Sequence, residues 1–269
     1  MRNLTGAAVG ALGIVNLVDR PHGRERLILT ITQAEALTIP THIHGYPDVA
    51  FGGYLAGLLA AHAGGDTVRV DFRRAVSVDT PILLSAPEPG RATFTATDDT
   101  LLVEAAPATL TLDPRPAPSW AAAKSAVELG LSGKRTVTDC YGCGLACAPG
   151  RGLVLFPSEL PGERMMAAAW TPDPALADET GELPPEVVWS ALDCPGGRAA
   201  FVFSRMGLGA FTAALTATQL QPVYAGADYI SHAWITHRDG RKHTVGVALS
   251  TPDGDPVALA EALWIEPRN

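Results

Sequence analysis

AFGGYLAGLLAAHAGG, Ala50 to Gly65, is the stretch whose reading decides the fold. From Ala50 to Ala63 it is apolar almost all the way round a helical projection and contains no proline. A helix without a polar stripe has to be covered on every side. Gly64 and Gly65 then supply a C-terminal stop. The run therefore predicts a central helix with a sheet curled around it.

The flanking sequence supplies that sheet. Upstream, RLILTIT (Arg26 to Thr32) reads as a strand, followed by a His-, Gly- and Pro-rich loop, IPTHIHGYPD (Ile39 to Asp48). Downstream the period changes to two. TVRVDFRRAVSV (67–78), ILLSAPE (82–88), RATFTAT (91–97) and LLVEAAPATLTL (101–112) are strand candidates divided by Pro, Gly and Asp turns. Residues 1–115 form the first unit on this reading. The proline-rich run from Asp113 to Arg135 has no sheet periodicity; it predicts a linker over 116–136 with a short helix around Trp120 to Leu129.

Residues 137–269 repeat the element order. GLVLFPSEL (152–160) and RMMAAAW (164–170) read as strands, and PPEVVWSALDCPGG (184–197) stands where the first unit has its helix. Four strands follow: TAALTATQLQPVY (212–224), DYISHAWITH (228–237), KHTVGVALS (242–250) and PVALAEALWIE (256–266). The turns between the last three, HRDGRK and TPDGDP, both contain Asp-Gly, a strong hairpin signal. The repeated order predicts an internal duplication and an α+β fold of two curled antiparallel sheets, each wrapping a central helix. A single unit would expose a long edge strand. Two units paired edge to edge hide one edge each.

Composition narrows the function classes. The 269 residues carry a formal net charge of −8 and no basic run, which excludes nucleic acid and anionic membrane as expected partners. Four cysteines, Cys140, Cys143, Cys147 and Cys194, are too few and too clustered for a disulfide framework, and point to a reducing, cytoplasmic location. Their spacing offers neither a second Cys-x-x-Cys nor paired histidines, so no metal or other cofactor is expected. MRNLTGAAVGALGIVNLV reads as a leader or first turn rather than a signal peptide, and no segment is long and apolar enough to span a bilayer. No phosphate-binding loop, dinucleotide fingerprint or Gly-x-Ser-x-Gly elbow is present.

FGGYLAGLLA (51–60) resembles the central-helix motif of hotdog-fold thioesterases, in which His-Gly-Gly opens the helix and an acid often follows two turns later. CYGCG (140–144) followed by GLVLFP (152–157) is similar to the lead-in of one thioesterase branch, where the cysteine pair is structural. VVWSALDCPGG (187–197) is similar to a segment with an aspartate at the helix's acid position. The resemblance covers nearly the whole chain and implies a fused double hotdog acting on an acyl-CoA or acyl-carrier-protein thioester, with a homodimer as the common higher assembly. This chain departs from the pattern in both halves. Phe51 replaces the histidine and Ala60 the acid in the first; the second lacks the glycine pair and has Pro184 where the histidine would be. Only Asp193 keeps an acid, so one site at most is expected, assembled from both halves.

The candidate residues follow from the chemistry a thioester needs. Backbone N–H groups at Gly52 and Gly53, aided by the helix dipole, would polarise a carbonyl. Phe51, Tyr54 and Trp189 would line the acyl site. Asp193 would act as general base or nucleophile, although Pro195 is expected to break a continuing helix and leave Asp193 as the cap of a new turn. The cluster His42, His44, Tyr46 and Asp48 precedes the first helix, and His44 and Tyr46 lead it as groups to orient substrate. His232, His237 and His243 read as structural. Hydrolysis is the leading activity. A hydratase, dehydratase or conjugate-addition enzyme using the His44 loop stands beside it, as does a non-catalytic acyl-thioester-binding protein.

Overall fold

The computed structural model of this chain describes residues 16–18, 26–28, 31–133 and 138–268. The expected leader lies outside the described residues up to position 15, and Asn16–Val18 forms a strand, β1, paired with β2 (Arg26–Ile28). The strand expected over 26–32 is thus divided between β2 and β3 (Ile31–Thr38). Then come α1 (Gly52–Ala63), β4 (Thr67–Phe72), β5 (Pro81–Ala86), β6 (Ala92–Thr95) and β7 (Leu101–Pro107). The connector holds α2 (Trp120–Leu131), capped by Ser119, whose hydroxyl accepts from the Ala122 N–H at 3.2 Å. The second half contains β8 (Ser158–Glu159), β9 (Met166–Trp170), α3 (Pro185–Phe203), β10 (Phe211–Gln219), β11 (Tyr229–Asp239), β12 (Lys242–Ser250) and β13 (Pro256–Ile265).

The strands run β3-β5-β6-β7-β4 in the first half and β10-β13-β12-β11-β9-β8 in the second. Taken outward from the seam, both halves have one order: the strand after the helix, then the fourth, third and second of its meander, then the strand before the helix. Two curled sheets paired edge to edge were expected; apart from the β1–β2 pair, the described strands form one open antiparallel sheet of eleven. The joint is β4 against β10, with Val70 opposite Leu215 and Val68 opposite Ala217. Each is the inner edge of its own half, and pairing them satisfies two rows of N–H and C=O groups at once. The remaining edges are β3 and the two-residue β8.

Two further expectations change. GLVLFPSEL is a strand only at Ser158–Glu159. Its earlier backbone groups go to the cysteine loop, Leu153 N–H to Tyr141 O and Leu155 N–H to Gly142 O. The predicted break at Pro195 does not occur, since α3 runs through it to Phe203. A proline inside a helix costs about 3 kcal/mol. Buried Val187, Val188 and Leu192 on the same helix each return about 1.5–3 kcal/mol, so packing outweighs the lost hydrogen bond.

α1 and α3 lie side by side in the main core, in contact along their backbones. A Cβ on Gly53 would stand 2.7 Å from Ser190 Cα, and one on Gly57 2.3 Å from Glu186 Cα. These glycines, one turn apart, let main chain meet main chain. α2 covers the other face of the second half, where Ala123 packs on Ala167 and Ile230, and Ala126 on Leu160 and Met165. Among the described residues, no helix is long and apolar enough to cross a membrane.

Candidate functional site

The close approach of the helices decides where Asp193 sits. Gly53, in the first turn of α1, donates its N–H to Asp193 Oδ2 at 2.8 Å. Thr212 donates its hydroxyl to Oδ1 at 2.7 Å. Thr212 lies where the register of β10 on β13 shifts, between Thr212 and Ala214, and such bulges re-aim side chains. Asp193 is 2 % exposed, and burial pushes its carboxyl up to about 6 against the downward pull of the Thr212 and Gly53 hydrogen bonds. The carboxylate thus rests at the positive end of α1.

Beside it opens a cavity of about 820 Å³. Its wall is mainly apolar, with Phe51, Leu55, Phe72, Val76, Met206 and Phe211. Tyr46, Gly52, Asp193, Thr212 and the cysteines Cys140, Cys143 and Cys194 also line it, as do Arg73, Arg74 and Arg198. A Cβ on Gly52 would lie 3.1 Å from Asp193 Oδ2, so the helix start meets the carboxylate closely there. Phe51, in extended conformation, supplies no side-chain cap to α1. Leu55 is the first residue whose N–H bonds back into the helix, to Phe51 O. With Gly53 committed to Asp193, Gly52 is the helix-start residue with an N–H on the cavity wall. Among the described residues, Arg198 Nε and Trp264 Nε1 are buried donors without a partner, and both residues line the same cavity.

The other sequence candidates divide. Tyr46 lines the cavity, but its hydroxyl donates to Ala210 O at 2.8 Å and its ring packs on Phe211 with centroids 5.0 Å apart. That bond ties the first loop to the entrance of β10. His44 is not on the cavity wall; Nδ1 meets Thr41 O at 2.8 Å and Nε2 the Asp139 carboxylate at 3.4 Å. Tyr54 packs edge-on against Tyr141 outside the cavity, and burial pushes its hydroxyl up to about 12. Trp189 is buried one turn before Asp193 on α3 and lines not this cavity but a separate void of about 20 Å³, shared with Ala60 of α1.

Two groups were not found by sequence reasoning. Thr212 carried no signal, because its role depends on a bulge that turns it toward α3. The cysteines were read as an isolated pair plus two others, yet Cys140, Cys143 and Cys194 converge with their sulfurs all within 4.8 Å of one another. Contact with Cys143 raises the Cys140 thiol above its usual range, contact with Cys140 raises that of Cys194, and burial adds to both. Protonated thiols are poor nucleophiles.

No family model and no curated relative matches the sequence. Solved structures do match. A tesB protein of Mycobacterium avium subs paratuberculosis is similar with a TM-score of 0.58 at 14% identity, over 88% of this chain and 94% of that one. The acyl-CoA thioesterase II TesB2 of Mycobacterium marinum is similar with a TM-score of 0.55 at 13% identity, over 88% of this chain and 93% of that one. At such identity the likeness is one of fold, the hotdog type of thioesterase-superfamily structures.

Proposed function

We propose that this protein hydrolyses an acyl thioester, with Asp193 as general base. The observation that carries this reading is a buried carboxylate, held at both oxygens by Gly53 and Thr212, on the wall of an apolar cavity at the start of α1. Asp193 takes a proton from water as the water oxygen bonds to the thioester carbonyl carbon. The oxyanion that forms is held by the Gly52 N–H, strengthened by the helix dipole. The C–S bond then breaks, and the proton passes to the departing thiolate. Thr212 is a positioning residue, orienting the carboxylate through Oδ1.

The fold shared with a protein named acyl-CoA thioesterase II supports an acyl-CoA substrate. Arg74 and Arg198 on the cavity wall suit the phosphates of CoA, whereas Arg73 is paired with Glu104 at 2.7 Å. Hydration of an enoyl thioester by the His44/Tyr46 loop is the second reading: Tyr46 lines the cavity with its hydroxyl bonded to Ala210 O, while His44 stands outside the wall. Four cysteines held as thiols rather than disulfides support a reducing compartment such as the cytoplasm.

The test is thiol release from acyl-CoA esters of varied chain length, for the wild type beside Asp193→Asn. Chain-length-dependent release that collapses in the variant is expected. A folded wild type that releases no thiol from any ester rules out hydrolysis, and an Asp193→Asn protein as active as wild type rules out the base.

A further inference from the structure

Cys140 and Cys143 lie in one turn of the loop that follows the linker, and Cys194 lies on α3. Cys140 and Cys143 are separated from Cys194 by about fifty residues of chain, yet the three sulfurs gather within 4.8 Å, and Cys140 Sγ stands 3.7 Å from Cys194 Sγ. That separation is far longer than a disulfide bond of about 2.05 Å. It matches the spacing of two sulfurs on one tetrahedral zinc ion, about 3.8 Å when each Zn–S bond is about 2.3 Å.

The loop is built to hold this arrangement. The Gly144 N–H closes the turn on Cys140 O at 2.7 Å, and Ala146 N–H donates to Thr138 O at 2.8 Å. Tyr141 N–H donates to His44 O at 2.8 Å, and Leu155 N–H to Gly142 O at 3.0 Å. These bonds anchor the turn on both sides without using a cysteine side chain. Glycine is needed at two places. A Cβ at Gly144 would meet Cys140 O at 2.6 Å, and one at Gly142 would come within 3.0 Å of Cys194 Sγ and 2.7 Å of the Phe51 ring. The turn is thus seated against α3 as closely as a backbone allows. Cys147 is turned away, its thiol donating to the backbone oxygens of Cys140 and Asp139.

We propose that Cys140, Cys143 and Cys194 form a site for a thiophilic divalent cation of the zinc type, with its fourth position toward the cavity that all three residues line. Three thiol protons leave as three metal–sulfur bonds form, since a coordinating thiol is deprotonated by the metal. No electron is transferred. The fourth ligand is an oxygen donor from the cavity, water in the resting protein. The cation joins the loop of residues 138–147 to α3 beside Asp193 and so holds one wall of the cavity. The assignment does not depend on thioester hydrolysis.

The experiment is a titration of the full-length chain, reduced and stripped with a chelator, with Co²⁺ followed by Zn²⁺. Stoichiometric binding is expected, with a thiolate-to-cobalt charge-transfer band in the near ultraviolet and the strong visible bands of a tetrahedral ion. Zinc should abolish both bands and raise Tm. Cys147→Ser should keep the spectrum, whereas Cys194→Ser should weaken cobalt affinity by at least about 100-fold. A folded, reduced chain that binds no cobalt, or binds it without charge transfer, overturns the site. So does a disulfide among these three cysteines in protein isolated under reducing conditions. Loss of the spectrum in Cys147→Ser overturns the three-ligand assignment. If Cys194→Ser fails to fold, the wild-type spectrum and Cys147→Ser still decide the question.

Discussion

At the start of α1, the facing residue is Asp193, nine positions past the N-cap of α3; at the start of α3, the facing residue is Ala60, nine positions past the N-cap of α1. The two helix ends are counterparts in one sheet with a repeated strand order. The first has glycines at its opening, a carboxylate held by two donors and a cavity of about 820 Å³. The second opens with Pro184 and Pro185, which have no N–H to offer, and Trp189 and Ala60 border a void of about 20 Å³, room for one water. The carboxylate, the N–H that would match Gly52 and the volume are lacking together. An acid residue is therefore one of three requirements, and restoring it alone should not restore a site.

The largest expected effect separates activity from stability at the first helix end. Asp193→Asn should lower thiol release by about 10²–10⁴-fold while Tm stays level or rises. The amide oxygen accepts from the Gly53 N–H and its NH2 donates to the Thr212 hydroxyl in a reversed bond, and the amide is spared the desolvation that raises the carboxyl. A large fall in Tm would mean that the carboxylate serves the fold rather than chemistry. Ala60→Asp probes the other end. It buries a carboxylate where Pro185 offers no N–H and Glu186 adds a like charge in the first turn, so thermal unfolding should show a loss of about 3 kcal/mol or more. Combined with Asp193→Asn it should return no thiol release; any recovery would break the comparison.

Thr212→Val sharpens it further. Losing one hydrogen bond to the carboxylate should reduce kcat about ten-fold, with KM little changed, and Thr212→Ser should recover most of the loss. Unrecovered activity in the serine variant would indicate packing instead of orientation. The smallest effect belongs to neither helix end. His232 is buried under the linker, with Nε2 donating to Arg115 O at 3.0 Å and the ring stacked on Trp234. Burial lowers its pKa below 6.5, so the folded chain favours the neutral ring. Its contribution is complete above pH 6.5 and is lost as pH falls toward the lowered value. His42 and His62 are lowered by burial as well, so His232→Gln should flatten the acid side of a Tm–pH curve only in part. An unchanged curve would remove His232 from the account.

The elements most legible in the sequence were those with a strong local pattern. α1 was visible because an apolar surface all round one helix admits few folds, and the hairpins β11–β12–β13 because Asp-Gly turns divide alternating runs. Asp193 stood out as an acid among apolar neighbours in a segment similar to one with an aspartate there. The length of α3 was not legible, since a local rule at Pro195 is overridden by burial on every side. Nor were the partners of Asp193. Its bonds to Gly53 and Thr212 cross 140 and 19 positions of chain and depend on a helix contact and a bulge. The cysteine cluster has the same cause, because its third sulfur comes from α3. That the halves join edge to edge was expected, but not which strands meet: an edge strand reads alike whether it ends a sheet or meets another, and the β4–β10 register is set only in the fold.

The contact of Gly53 and Gly57 with α3 has a thermal consequence. Side-chain packing softens on heating as rotamers begin to exchange, and sites positioned by it drift before the protein unfolds. Here the spacing of α3 from the start of α1 is set by main chain against main chain, and the one intervening side chain, Asp193, is held at both carboxylate oxygens. Heating should leave the turnover of each folded molecule on a smooth Arrhenius line, and loss of thiol release and loss of the fold should share one midpoint.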